Sequence, residues 1–246
     1  MFYFDDFYGK KVLKSDYLSG LDCFFTSKDF VLTAGALNEL EQTAENNRRF
    51  LMQKLNCSNL ITAEQVHGSN IETVQKDKFY YEKTDALISN IENSVILMNF
   101  ADCTPVILYS KKDNTGAVIH AGWRGTAQKI AQKTAERMCS AFNIKPEDIT
   151  ALIFPAIGKC CFETDEEVFE QLIKDKSRTD LYEKRGVKYF INLPSLNRLQ
   201  LAACGIKNID ISSYCTFCMS DIFFSYRKEK GKTARNSAVL KIIGDK

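Results

Sequence analysis

The sequence predicts an α/β fold in one domain spanning residues 1–246, and three observations predict it. Short apolar runs recur along the chain and read as buried strands. Between them lie longer stretches whose apolar residues return at helical spacing, each a helix with one buried face. No internal repeat, low-complexity tract or convincing linker divides the chain, and its 246 residues, 45% hydrophobic, can bury a substantial core.

Taken in order, Met1 to Phe25 mixes aromatic with charged residues and predicts short strands around the Leu18-Ser19-Gly20 turn. Asn38 to Leu55 reads as a helix whose apolar face carries Leu40, Phe50, Leu51 and Leu55. Leu60 to His67 reads as a strand ending in Gln65-Val66-His67-Gly68, and Asp85 to Ser89 and Val95 to Phe100 as buried strands. Val106 to Tyr109 and Ala117 to Ile119 flank the turn-rich Asp113-Asn114-Thr115-Gly116, the pattern of a hairpin. Ile130, Thr134, Met138 and Phe142 then fall four apart, with Lys129, Lys133 and Arg137 near the opposite face, giving a helix with one buried stripe. Ile149 to Phe154 is a strand and Pro155 to Cys161 a loop. Thr164 and Glu167 have capping-box spacing at the head of a helix that buries Val168, Leu172 and Ile173. Asn192 to Cys204 is a further helix, and Ile209 to Ser212, Ile222 to Tyr226 and Ser237 to Ile243 read as closing strands. The charged stretch Arg227 to Thr233 reads as a loop.

A formal charge of +2 gives no global reason to expect nucleic acid or a membrane surface as a partner. No apolar stretch approaches the roughly 20 residues of a bilayer span. The opening MFYFDDFYGKK lacks a basic-then-apolar leader, so a cytoplasmic location is expected. Nine cysteines, an odd number in a chain of this length, do not read as a secreted disulfide framework; most are expected to be small buried hydrophobes.

The informative number is two histidines, His67 and His120, both beside glycine-containing turns. Folding the chain about the hairpin turn brings Cys103 and His120 to the same open edge. A thiol and an imidazole held together are either a nucleophile with its base or two ligands of a soft metal. With His67 they make two nitrogens and a sulfur, a set that suits Zn(II) with one tetrahedral position left open. The blander alternative, ordinary loop histidines and a core thiol, is what composition alone favours. Copper could use the same donors with a weak axial Met, but alternation around Asn99 gives no reason to aim Met98 there. Asp102 could orient a ligand or bind substrate. The helix entry at His120-Ala121-Gly122-Trp123-Arg124-Gly125 could bind an anion through its N–H groups and Arg124, while Trp123 could stack on a flat ring or pack in the core. Arg227 could point into a pocket or mark a solvated strand end. Vicinal Cys160-Cys161 is compatible with metal or redox chemistry but is expected to be buried. Cys215-Thr216-Phe217-Cys218 has zinc-knuckle spacing, yet no second CxxC exists to complete it, so it is expected to be structural.

Taken in order, Gln65-Val66-His67-Gly68, Ala101-Asp102-Cys103-Thr104-Pro105-Val106, His120-Ala121-Gly122-Trp123-Arg124-Gly125, Ile157-Gly158-Lys159-Cys160-Cys161-Phe162-Glu163, and Cys215-Thr216 followed by Phe223-Phe224-Ser225-Tyr226-Arg227 form a specific set. The chain resembles, from about Phe24 to Ile243, the laccase-domain or polyphenol-oxidase proteins, also described as purine nucleoside phosphorylases of an unusual type. The resemblance implies layered mixed β-sheets flanked by helices, and zinc held by His67, Cys103 and His120. It implies phosphorolysis of adenosine, inosine, guanosine and methylthioadenosine, with deamination of adenosine as a second reaction. The expected catalytic residues are Cys103, His120 and Asp102. Arg124, Trp123, Lys28, Phe224 and Arg227 are expected to bind the nucleoside and phosphate, in a monomer or weak homodimer. A bacterial branch of such proteins is described as editing peptidoglycan precursors. One departure stands out: the family pattern Thr-Arg-x-Gly-Gly is replaced here by Thr26-Ser27-Lys28-Asp29-Phe30, with Ser27 where the arginine falls and Lys28 as a point-charge substitute. Asn46-Asn47-Arg48 does fit the pattern.

Three functions compete on these residues: zinc-dependent nucleoside chemistry, metal-free amide hydrolysis by Cys103 with His120 as base, and partner binding without turnover. Multicopper oxidase chemistry is excluded by inventory, since its several copper sites need far more imidazoles than two. A single adventitious copper, and with it phenol oxidation, stays compatible with the donor set.

Overall fold

A computed structural model describes residues 1–243; the last three residues of the expected domain lie outside the described residues. Two large mixed sheets pack face to face. One runs in the order Phe2–Asp6, Lys11–Ser15, Cys23–Thr26, Asn236–Lys241, Val95–Phe100, Leu60–Ala63, Tyr80–Tyr81. The other runs Asn208–Ile211, Ile149–Ile153, Thr104–Ser110, Thr115–Ala121, Ala86–Ser89, Ile71–Thr73. A three-stranded sheet, Glu163–Thr164, Lys188–Ile191, Tyr182–Arg185, sits apart.

Why the strands read as near-continuous apolar runs follows from this layering. Met98, Phe100, Ile107, Tyr109 and Val118 fill the space between the large sheets. Their neighbours Leu108, Ala117 and Ile119 face Ile130, Met138 and Leu201, which come from the helices Ile130–Phe142 and Leu193–Ala203. Leu97, Val95 and Val239 face Leu51 and Leu55 of the helix Glu41–Leu55. Successive side chains on a strand point to opposite faces, so a strand buried on both faces needs apolar residues throughout. The order is helix, sheet, sheet, helix: the expected layered α/β architecture. Among the described residues no helix is long and apolar enough to cross a membrane.

Four local expectations are corrected. Ile222 to Tyr226 is not a strand. Phe223 and Phe224 are both buried but in different clusters, and the Asn236 side chain stands in for a ladder partner, accepting from Phe224 N–H at 3.0 Å and donating to its carbonyl at 2.9 Å. Thr164 is not a helix cap. It lies in the Glu163–Thr164 strand, its hydroxyl donates to the Tyr189 carbonyl, and the helix Glu166–Leu172 starts after Asp165, which pairs with Lys188. The strand before His67 stops at Ala63, leaving His67 in a loop with φ +61°. The helix entry at Trp123 also divides in two: Trp123–Ala127 and Ile130–Phe142 are separated by Lys129 at φ +62°.

Candidate active site

The hairpin sets the site. Thr104–Ser110 and Thr115–Ala121 pair antiparallel with His120 opposite Pro105 and Ala121 opposite Thr104, so Cys103 follows directly at the end that carries His120. The loop after Ala63 brings His67 to the same end. One donor atom from each of His67, Cys103 and His120 lies within 4.8 Å of the others, and the two imidazole centroids are 4.8 Å apart at 78°. These three residues form a possible metal site. Gly122 makes room for it: a Cβ there would lie 3.2 Å from Cys103 Sγ and 3.3 Å from His67 Cδ2.

Asp85 organises the trio and was not among the expected site residues. It is fully buried at the head of the Ala86–Ser89 strand, with Oδ1 2.8 Å from His120 Nδ1. The same carboxylate accepts from the backbone N–H of His67 at 3.0 Å and of Gly68 at 2.7 Å. With Nδ1 facing Asp85, it is Nε2 of His120 that would bind a metal, giving up the proton it carries in the metal-free chain. Burial pushes the Asp85 carboxyl up, but His120 and the two N–H groups outweigh it and hold it below the usual carboxylate range. Burial also pushes the Cys103 thiol up, yet His120 and then His67 bring it down to about 6. Burial would lower His120; the Cys103 sulfur and Asp85 raise it to about 9 instead.

Asp102 lines the cavity but serves as an anchor. Its Oδ1 accepts from the Thr216 hydroxyl and its Oδ2 from the Arg227 backbone N–H, each at 2.7 Å, while its carbonyl accepts from Ile157 N–H at 3.0 Å. Those three bonds hold it at φ +83°, a conformation costly for a non-glycine residue, next to Cys103. The carboxylate that orients a histidine is therefore Asp85, not Asp102.

The trio opens into a cavity of about 700 Å³ that Trp123, Arg124 and Arg227 also line. Arg124 stacks on Trp123, with its guanidinium carbon 4.2 Å from the ring centroid. Arg227 donates through both Nη atoms to the Glu163 carbonyl. A third guanidinium comes from Arg235, which sequence reasoning missed; it donates to the carbonyls of Thr233 and Ala234. Among the described residues none of the three pairs with a carboxylate.

Lys28 and Phe224 are corrections. The structure does not bring either to the cavity. Lys28 Nζ is 2.6 Å from Glu229 Oε1 and lies 5.0 Å from the centroid of Phe224, which is buried with Val31, Ala34 and Ala234. Ser27 is buried too, its hydroxyl donating to the Lys11 carbonyl. The expected burial of Cys160 is also overturned: Cys160 and Cys218 are exposed, Cys161 is half-buried, and all three converge with buried Cys215.

The family described as "Multi-copper polyphenol oxidoreductase laccase" matches residues 31–243. Purine nucleoside phosphorylase YlmD of Geobacillus stearothermophilus is 33% identical over 211 residues, covering 79% of this chain and 77% of that one. Adenosine deaminase RL5, from an unknown prokaryotic organism, is 36% identical over 152 residues, covering 60% of this chain and 58% of that one. The solved structure of YlmD from Geobacillus stearothermophilus superposes with a TM-score of 0.88 at 27% identity, covering 98% of this chain and 99% of that one.

Proposed function

The chain belongs to the family described as multi-copper polyphenol oxidoreductase laccases, and from that membership we propose that it is a zinc-dependent purine nucleoside phosphorylase with adenosine deamination as a second reaction. The substrates are adenosine, inosine, guanosine and methylthioadenosine, with phosphate. The observation that carries this reading is one cavity holding both a soft-metal donor trio and three guanidinium groups without carboxylate partners among the described residues. Planar guanidinium groups suit phosphate bidentately. The names of the relatives point the same way.

His67, Cys103 and His120 would hold the zinc, and the donor set, the space at Gly122 and the fixed Nδ1 of His120 fit that ion. When bound, zinc supplies Lewis-acid polarisation at the face of the trio open to the cavity. Arg124, Arg227 and Arg235 bind phosphate and neutralise its charge. In phosphorolysis a phosphate oxygen bonds to the sugar C1′ while the bond from C1′ to the purine nitrogen breaks, and the purine leaves with the electron pair and takes up a proton. Trp123 stacks against the base. Asp85 keeps the His120 ring oriented and holds the backbone of His67, and Asp102 fixes the backbone on which Cys103 sits. With two imidazoles in the chain, a multicopper centre lacks the many histidines it needs, so the family's descriptive name does not carry its chemistry here. Copper bound in place of zinc is adventitious.

Incubating the purified full chain with adenosine and phosphate, with and without a chelator, tests the reading. Adenine with ribose 1-phosphate, and inosine, are expected, all lost on chelation and restored by zinc. Absence of all three products in the zinc-loaded enzyme ends it. We take the working unit to be one domain acting as a monomer or weak homodimer, which sedimentation of the zinc-loaded chain measures.

A second reading rests on Asp85. Cys103, His120 and Asp85 line up as nucleophile, base and orienting carboxylate, the arrangement of a cysteine hydrolase acting on an amide such as a peptidoglycan precursor. It predicts turnover without metal and an acyl adduct on Cys103, and loss of all amide hydrolysis on chelation rules it out.

A further inference from the structure

A second group of soft ligands lies behind the cavity wall. Cys160 and Cys161 meet Cys215 and Cys218, and the four sulfurs all lie within 4.8 Å of one another, with Cys160–Cys218 at 3.6 Å and Cys161–Cys218 at 3.4 Å. We propose that these four thiols form a second metal site, separate from the His67, Cys103 and His120 trio, that takes zinc as a tetrathiolate and staples two loops together.

The spacing fits the ion. A tetrahedral site with Zn–S bonds of about 2.3 Å places its sulfurs about 3.8 Å apart. Two segments, 57 residues apart at Gly158 and Cys215, supply two ligands each. Their backbones are already joined, by the Ala156–Cys215 bridge and by Thr216 N–H donating to the Ala156 carbonyl at 3.0 Å. In one segment Cys161 and Phe162 N–H both donate to the Gly158 carbonyl at 2.9 Å, closing a tight turn. In the other, Met219 N–H donates to the Cys215 carbonyl, which brings Cys215 and Cys218 to one side. Gly158 N–H also donates to Cys215 Sγ at 3.2 Å, and a Cβ at Gly158 would lie 3.3 Å from Cys160 Sγ. A side chain there would crowd the sulfurs.

Four sulfur donors select zinc over harder ions. Binding it releases four thiol protons to solvent and leaves no coordination position for a reactant, so the site is structural. What it steadies is specific. Cys215 precedes Thr216, whose hydroxyl holds Asp102; Cys161 leads to Phe162, which lines the cavity, and to Glu163, whose carbonyl holds the Arg227 guanidinium. The CxxC does have a partner, the vicinal pair, which only the fold brings alongside.

The test is metal stoichiometry in the full chain purified under thiol reductant with zinc. The wild-type chain is expected to bind two equivalents, Cys160→Ser and Cys218→Ser one each, and His67→Ala also one, the other of the two. Cobalt loading adds a spectroscopic readout that does not depend on counting equivalents. Four of the five thiolate bonds belong to the proposed site, so Cys218→Ser with Cys160→Ser should remove about four-fifths of the sulfur-to-cobalt charge-transfer absorption. A single equivalent in the wild-type chain, lost in His67→Ala but kept in Cys218→Ser, overturns the proposal. So does a disulfide among these four cysteines found by intact mass in the reduced preparation.

Discussion

Asp85 Oδ1 stands 2.8 Å from His120 Nδ1, and both side chains are shut away from solvent. The same carboxylate accepts the N–H groups of His67 and Gly68, so one acid fixes a ring on one strand and a loop from another sheet. Asp85→Asn keeps an acceptor but loses the charge that holds the His120 tautomer. Partners of this kind change metal affinity by about 10–100-fold. Zinc affinity measured by competition with a chromophoric chelator is expected to fall by that factor, with a cooperative thermal transition retained. Unchanged affinity would show that the Asp85 carboxylate serves packing alone.

Cys103 and His120 were legible as neighbours because a hairpin is a local object: the turn between Ser110 and Thr115 fixes which residues share its open end. His67 entered only as the other of two histidines and through the family resemblance. The supporting shell of the trio was not legible. Asp85 reaches His120 only because the Ala86–Ser89 strand pairs with Thr115–Ala121, Ile119 opposite Ala86, and that pairing joins segments some thirty residues apart. In sequence it reads as the polar head of an apolar strand. Arg235 was hidden for a similar reason, standing just ahead of the last strand where nothing local marks a cavity. Ile222 to Tyr226 misled in the opposite direction: aromatic alternation imitates a strand, while the Asn236 side chain replaces the ladder.

The metal-free chain gives a pH test of the same geometry. With Cys103 brought down to about 6 and His120 raised to about 9, the pair is thiolate and imidazolium between those limits. Raising the pH through about 6 therefore creates the nucleophile, well below an ordinary thiol. Iodoacetamide labelling of Cys103, followed by peptide mass spectrometry, is expected to have its midpoint near pH 6 and to be suppressed throughout by zinc. A midpoint near 9 would contradict the pairing.

Gly122 leads to a steric prediction. Its missing side chain faces two of the three donors at 3.2 and 3.3 Å, tighter than an ordinary carbon contact. Gly122→Ala must displace Cys103 or His67 by a few tenths of an ångström, and misplacement near reacting groups costs up to about a hundredfold in rate. Nucleoside turnover is expected to fall at least about tenfold while the melting temperature changes little, because the φ of −66° suits alanine. Equal losses of turnover and stability would instead point to a general packing defect.

Lys28 and Arg235 make the last contrast: the sequence offers Lys28 beside Arg124 for phosphate, while Arg235 and not Lys28 lines the cavity. Lys28 is committed elsewhere: Glu229 neutralises it at 2.6 Å, and burial of Glu229, which would raise its carboxyl, is outweighed by Lys28 and Thr233, which hold it below the usual range. The pair is about one-quarter exposed on each side, so its worth is that of a screened surface bridge, below about 1 kcal/mol. Lys28→Ala should leave turnover and the phosphate KM unchanged and lower stability only slightly. Arg235 instead lines the cavity with no carboxylate partner among the described residues, its guanidinium hydrogen-bonded to the Thr233 and Ala234 carbonyls and 5.9 Å from the centroid of the Tyr226 ring. A hydrogen bond to a charged group is worth about 1.5–3 kcal/mol, so Arg235→Ala should raise the phosphate KM by about tenfold or more, with a smaller effect on the nucleoside KM. The two variants assayed side by side decide the matter: a phosphate KM that moves with Lys28 and not with Arg235 would reverse the assignment.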